Sequence, residues 1–583
     1  MKKKVYKLCS LLIVLVMVFG LGACGNSDKK QKGMVKISFW AEVTRANQDA
    51  LLEVVQEFNN SHSDVYVTLV PQSTGFGSNL STTLSGSTPP DVVMVEDKQF
   101  KTYVQEGYLE KLDDYIAADT NQNFSLENMW PSAVNRYSYN SETGYSATGE
   151  DYYAIPGGIN PTIIYYNVDY FKEQNINIVS IEEDELEEYN KQNGTNFLAH
   201  GYYVYDVAPK DGMQARSDGK YHVFNNLIAM SFEELVELSK IFTKSYNSTS
   251  PSTYGFLNEW WFSHGWSVGG DCLEWDEERQ QYIFALGDDT PNYLVTGADG
   301  VVVNGTEYAE GATLSYKDKK YVTANMSDST IASYVNAKQL YELPSIRYAF
   351  TEFTRLSQTT NRVVTSDLYG YGISPSPTTL DNNSKSSYFT TGEVAMVCLS
   401  TNDAYGIGES MNLLGKNWDI APLYQYREYN ADGTPKTVNG TKVFGHHSGH
   451  AGAPGYAIPA NAKNKEAAWE FISYIAGTDG QSKLMKTNRA LPNQMSLAYT
   501  EDYLNDTSNY AAKNKLAAVD MAEVCTVGDW CYVEDGEWIN AWANILNTDV
   551  RDGNMTLDEF FKNPVVLKTD EVLKKYSSKK FNN

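Results

Sequence analysis

The strongest constraint on how this chain folds is a regular exchange of hydrophobic periods near its amino end. Val35-Lys36-Ile37-Ser38-Phe39-Trp40 alternates with period two, as a half-buried strand does. Asn47 to Phe58 then carries Leu51, Leu52, Val54, Val55 and Phe58 as a helical stripe. Val65-Tyr66-Val67-Thr68-Leu69-Val70 reads as a second strand. PPDVVMVED (89–97) reads as a third, its unbroken apolar run fitting a strand covered on both faces. Such alternation predicts an α/β domain with a mostly parallel sheet. At 583 residues the chain is long enough for two or more domains.

Further along, YYAIPGGINPTIIYYNV (152–168) sets Pro and Gly between two strand-like halves and reads as a crossover between lobes. Ser231-Phe232-Glu233-Glu234 and Thr556-Leu557-Asp558-Glu559 have capping-box spacing, the first opening a helix through Phe242. Hairpin signals at Gly287-Asp288-Asp289 and Ala298-Asp299-Gly300, with little helical periodicity, mark residues 271–329 as a β-rich insertion. Ile331 to Thr359 reads as helical apart from Pro344. TTGEVAMVCLST (390–401) and WDIAPL (418–423) read as buried strands, with Cys398 a core residue. Residues 449–477 read as a Gly-rich strand, a turn and a helix starting near Asn464, and a last helical stretch follows Trp538.

The first residues are of another kind. Lys2, Lys3, Lys4 and Lys7 precede an apolar run from Leu11 to Phe19, which is too short to span a hydrocarbon core and reads as a signal peptide over 1–23. Leu21-Gly22-Ala23-Cys24 resembles the bacterial lipoprotein motif, which makes Cys24 the lipidated residue and 24–34 a tether. The formal charge of −26 becomes −30 once the four lysines of that segment are removed, and a chain so acidic repels nucleic acid. Cys525 and Cys531 in CTVGDWC could pair outside the cell.

The order lipobox, ISFW, PPDVVMVED, EGYLEKLDDYI, YYAIPGG with IIYYN, TYGF, TTGEVAMV and GAPGYAIPANAKNKEAAWEFISYI resembles extracellular solute-binding proteins of bacterial ABC importers. It is most similar to the carbohydrate-binding group of the maltose-binding protein type. The resemblance implies a type II periplasmic-binding fold: two α/β lobes with the ligand cleft between them, closing by hinge motion. Implied segments are 35–158 and 371–445 for the first lobe, and 159–370 and 446–583 for the second. It further implies an oligosaccharide ligand, permease subunits as partners, membrane attachment through Cys24, and no cofactor.

Ligands of open α/β sheets lie beyond the carboxyl ends of the strands. That rule selects Trp40, then Glu96, Asp97 and Gln99 after the third strand, and Ser400 and Asn402 after VAMV, with Asn160 at the crossover. The 42 tyrosines, 11 tryptophans and 22 phenylalanines supply faces on which sugars stack. Glu259-Trp260-Trp261-Phe262 with Trp266 is a dense aromatic cluster in which two tryptophans are expected to be core and one or two to reach the cleft. Trp530, Trp538 and Trp542 are further stacking candidates, with at least one of the last two packed. His446-His447-Ser448-Gly449-His450 has no accompanying Cys or clear carboxylate partner for a metal, and as a polar loop leading back across the hinge it offers His450 as its candidate for touching ligand. An anchored glycoside hydrolase would need two carboxylates roughly 5–10 Å apart across the cleft, and no pair stands out. There is no Gly-x-Ser-x-Gly elbow and no phosphate loop. The residues favour a binder over an enzyme.

Overall fold

The amino-terminal alternation does form a sheet. The computed structural model describes residues 33–44, 47–73, 75–140, 149–259, 261–276, 278–303, 305–314, 339–357, 370–380, 385–508, 510–526 and 537–581. Val35–Glu42 pairs in parallel with Val65–Gln72 on one side and Val92–Val95 on the other. Gly455–Ala457 and Ile155–Pro156 extend the sheet in antiparallel fashion. Helices Gln48–Ser61 and Lys465–Ala476 bury Leu51, Phe58, Phe471 and Ile472 against Ile37, Phe39 and Val92. On the opposite face Val93 and Val95 meet Leu80, Leu84 and Tyr103. Cover on both faces is why that third strand shows no polar alternation.

The second lobe is built on Asn160–Asn167, a strand with every residue buried. It lies antiparallel between Val394–Ser400 and Trp418–Ala421, and Val394–Ser400 runs parallel to Tyr254–Leu257. This arrangement corrects the expected return of 371–445 to the first lobe. The chain leaves the first sheet at 157–159 and re-enters it at Gly455, so both strands of that segment stay in the second sheet. The first lobe is completed by Gly455–Ala457 and the helix Lys465–Ala476 instead.

Among the described residues three crossing segments join the lobes. Gly157 N donates to Pro454 O at 2.9 Å, and Ile159 and Leu491 exchange backbone hydrogen bonds of 3.0 and 2.9 Å. The third crossing, through Ala490 and Leu491, has no signal in the sequence. Gly158 is glycine because of close approach: a Cβ there would sit 2.9 Å from Ala490 Cβ and 3.0 Å from Leu491 O.

Among its described residues the insertion is β-rich as expected. Leu273–Asp276 pairs with Gln281–Phe284, Val301–Val303 with Thr306–Tyr308, and Pro291–Val295 with Leu340–Ser345. That last strand replaces part of the helix expected over 331–359; among the described residues of that range the helix runs from Ile346 to Arg355, capped by Ser345. Pro344, which cannot donate in a helix interior, sits in the strand instead. Both capping boxes form, at Ser231/Glu234 and Thr556/Glu559. A three-stranded sheet of Ile176–Val179, Tyr221–Asn225 and Tyr202–Tyr205 adds to the second lobe without a clear sequence signal. Cys398 is buried in the core. Cys24, Trp260, Trp530 and Cys531, and with it the pairing with Cys525, lie outside the described residues. Among the described residues no helix is long and apolar enough to cross a membrane.

Candidate functional site

A cleft of about 530 Å³ opens at the carboxyl ends of the first-lobe strands, against the crossing segments. The first strand carries the alternation two residues beyond Trp40, so its mouth is formed by Glu42 and then by Thr44 and Asn47. That loop is knitted by its own side chains: Asn47 Oδ1 accepts from Thr44 N at 2.7 Å, and Asn47 Nδ2 donates to Glu42 O at 3.0 Å. Glu96 lines the same wall after the third strand.

Asn160 and His450 form the floor, where Gly452 pairs with Asn160. The amide of Asn160 donates to Ile159 O and Arg489 O at 3.2 and 2.9 Å, tying the first and third crossings together. His450 Nε2 lies 3.1 Å from Arg136 Nη2. Burial, and then the Arg136 charge, hold the imidazole well below its ordinary range, so it is neutral and accepts from the guanidinium.

Ser400 and Asn402 close the second-lobe side. Ser400 caps the short turn that follows, accepting from Asn402 N at 3.2 Å, and its carbonyl receives Tyr165 Oη at 2.8 Å. Half-buried Arg489 stands between the walls, donating from Nη1 to Thr44 Oγ1 at 2.9 Å and lying 3.8 Å from Glu42. Its second acidic neighbour is Asp403 of the second lobe. Burial raises the Asp403 carboxyl, opposed by the charges of Arg489 and Lys385. Lys385 belongs to a second cavity, of about 380 Å³, in the second lobe. Asp403 therefore has Arg489 of the cleft and Lys385 of this cavity as its charge neighbours.

The structure thus brings together Glu96, Asn160, Ser400, Asn402 and His450. Asp97 opens the helix Asp97–Gln105 beside them. Gln99 is not part of the cleft lining; its side chain and that of Glu96 both approach Gly77, and Gln99 Oε1 is buried without a hydrogen-bond partner. Trp40 does not line the cleft; it is half-buried and packs against the first-lobe core that holds Val93, Val95 and Tyr103.

The tryptophans need a larger correction. Trp261, Trp266 and Trp538 are 7%, 4% and 0% exposed, all within the second-lobe core. Trp261 meets Trp542 edge-on at 4.7 Å, and Trp538 lies 6.3 Å from Trp542. Their area is consumed in holding the lobe together, which leaves no face for a sugar. His446 is exposed, and His447 Nε2 donates to Leu423 O at 2.9 Å, its imidazole pushed down to about 4 by burial and then by Arg427. Two charged residues of the cleft lining, Glu42 and Arg489, lie outside the strand-end selection. Glu42 is legible in the continuing alternation of VKISFWAE, whereas Arg489, alone in the loop TNRALPN, carries no signal.

Two α/β lobes, three hydrogen-bonded crossings and a cleft at the strand ends that carries both polar and apolar side chains define a protein built to enclose a ligand. The family description "bacterial extracellular solute-binding protein" matches residues 43–482, and the chain belongs to that family. No protein of curated function matches it significantly. Solved structures share the fold at low identity. The sugar-binding protein MalE of Xanthomonas citri is 13% identical, with a TM-score of 0.56 over 94% of this chain and 98% of its own. A cyclic alpha-maltosyl-1,6-maltose binding protein of Arthrobacter globiformis is 13% identical at a TM-score of 0.53, over 94% and 100%. An ABC substrate-binding protein of Listeria monocytogenes, solved with cycloalternan, is 15% identical at 0.52, over 93% and 98%.

Proposed function

We propose that this chain is the lipid-anchored substrate-binding component of an ABC importer, capturing an oligosaccharide at the outer face of the membrane. The observation that carries the reading is the cleft of about 530 Å³ between the two lobes, bordered by Asn160, Ser400, Asn402 and Arg489. Amides, a hydroxyl and a guanidinium suit the many donor and acceptor positions of a glycan. The volume falls within the range typical of small-molecule sites. The ligands named for the Listeria and Arthrobacter proteins, cycloalternan and cyclic alpha-maltosyl-1,6-maltose, support an oligosaccharide as the class. Closing the lobes would bury it and present the closed form to the permease subunits. Cys24 in the LGAC motif supports the anchor.

Calorimetry of the mature protein against a panel of oligosaccharides, amino acids and divalent cations tests the ligand class. Saturable binding of at least one oligosaccharide with no product released is expected; turnover of the glycan, or binding of an ion or peptide alone, would overturn the reading. Cys24→Ser should abolish diacylglyceryl labelling in cells, and unchanged labelling would remove the anchor.

A further inference from the structure

A buried cation stands directly behind the cleft. Lys515 opens the helix Lys515–Glu523 of the second lobe, and its side chain is 5% exposed. The surroundings oppose its charge. A helix amino end disfavours cations, and Leu491, Ala512 and Ala518 line the cavity of about 30 Å³ beside it. The ammonium contacts three residues. Nζ donates to Asn488 Oδ1 at 2.9 Å and to Tyr503 O at 3.0 Å. It lies 3.7 Å from the Asp506 carboxylate and 4.5 Å from the centre of the Tyr503 ring. Asn488 is buried, stands in the left-handed region at φ 53°, and donates its own amide to Ser508 O at 2.8 Å. A residue other than glycine keeps that conformation where its surroundings over-determine it, as two side-chain hydrogen bonds do here. The next residue is Arg489, which reaches Thr44 of the first lobe. Ala490 and Leu491, which follow, line both the cavity beside Lys515 and the cleft.

We propose that Lys515 is a positioning residue for ligand binding: through Asn488 it fixes the third crossing and so sets where Arg489 stands between the two walls. The inference rests on the oligosaccharide reading above and adds to it a control by pH. Burial pushes the Lys515 ammonium down from 10.5 to about 8, opposed by Asp506, so above that value a neutral amine faces Asn488. Its hydrogen bonds are weaker than charge-assisted ones, and the attraction of Asp506 is lost. In the Asp506 carboxyl burial is outweighed by hydrogen bonds from Ser508 and by the Lys515 charge, which together hold it low. Burial raises Tyr503, and Tyr165 of the facing strand, out of this range. Asp403 and Asp419, both raised chiefly by burial, are the next acids: one adjoins Thr401 of the cavity wall, and the other accepts from Asn514 N. An unfolded lysine keeps its proton up to about 10.5, so between about 8 and that value the unfolded chain binds more protons. Lys515 therefore makes stability rise with pH across this window, whereas its positioning role makes affinity fall.

Calorimetry of the full mature chain with maltotetraose, cellotetraose, mannotetraose and xylotetraose supplies the probe, the tightest binder of the four. At pH 7, Lys515→Met and Asn488→Gly should each weaken it at least fivefold; glycine keeps the left-handed backbone and removes only the side chain. In the Arg489→Ala background either change should cost less than twofold, because both act through that residue. Affinity of the parent should fall at least threefold between pH 7 and 9.5, while both variants stay flat and the parent gains stability relative to Lys515→Met. Without any sugar, amide hydrogen exchange at residues 488–491 should quicken in both variants. Where Lys515→Met does not fold, Asn488→Gly decides by the same readouts. Unchanged exchange at 488–491, losses that persist in full beside Arg489→Ala, or a pH profile shared by parent and variants overturns this inference alone. Silence of the parent toward all four sugars overturns it together with the oligosaccharide reading.

Discussion

Arg489 reaches from the third crossing segment to Thr44 of the first lobe, its Nη1 donating to Thr44 Oγ1 at 2.9 Å, while its other acidic neighbour, Asp403, belongs to the second lobe. One guanidinium thus senses both walls of the cleft. Burial opposes its charge and Glu42 and Asp403 support it, so any ligand contact is made by an already polarised, partly desolvated group.

Arg489→Ala should weaken oligosaccharide binding by roughly tenfold or more, equivalent to about 1.4 kcal/mol. Thr44→Val removes one hydrogen bond to a charged donor, worth about 1.5–3 kcal/mol at most, and should have the smaller effect on affinity. Calorimetry of both variants decides the matter. Normal affinity in Arg489→Ala would show that this residue only braces the open lobes.

Trp538→Ala should lower stability and leave ligand affinity intact. The side chain is fully buried and packs toward Trp542, and emptying such a site costs about 3–5 kcal/mol. Thermal unfolding should shift down by several degrees while the folded fraction binds with its usual Kd. A selective loss of affinity at unchanged Tm would return this tryptophan to the ligand.

These two outcomes follow how much the sequence can convey. Period-two and helical patterns specify the first sheet, the crossover at 152–168 and the β-rich insertion, because each rests on local alternation or turn chemistry. The lobe that holds Val394–Ser400 is not legible in this way, because an unbroken apolar strand fits either sheet equally well and long-range pairing decides. The strand-end rule finds Glu96, Ser400 and Asn402. Aromatic clustering misleads, since a buried tryptophan and a stacking one are written with the same letter. Arg489 enters the cleft through a third crossing that no periodicity announces.

Ligand should reduce the radius of gyration, because two lobes joined by three short crossings move as bodies about them. Small-angle scattering with and without saturating oligosaccharide checks this, and an unchanged radius would argue against closure. Gly158→Ala should loosen the junction, since its Cβ would press on Ala490 and on Leu491 O at 2.9 and 3.0 Å. Reduced thermal stability and a changed closure amplitude are the expected readouts.

Asp520 should make stability fall as pH rises toward neutrality. It is half-buried on the helix Lys515–Glu523, and its carboxyl is pushed up to about 7 from 3.8 by burial, then by the charges of Glu182, Glu523 and Asp184. Glu523 is itself held by the hydroxyl of Tyr499. Below the unfolded pKa both states are protonated, and the native advantage is complete. Between that value and about 7 the unfolded chain ionises while the native one resists, so stability drops and then levels off. Each pH unit separating the folded from the unfolded carboxyl corresponds to about 1.4 kcal/mol, and partial exposure reduces the total to roughly 1–3 kcal/mol. Asp520→Asn removes the charge and keeps the shape. Denaturant unfolding should therefore find the variant more stable than the parent at pH 8 and equal to it at pH 4. A stability difference of the same size at both pH values would mean that Asp520 does not titrate in this window.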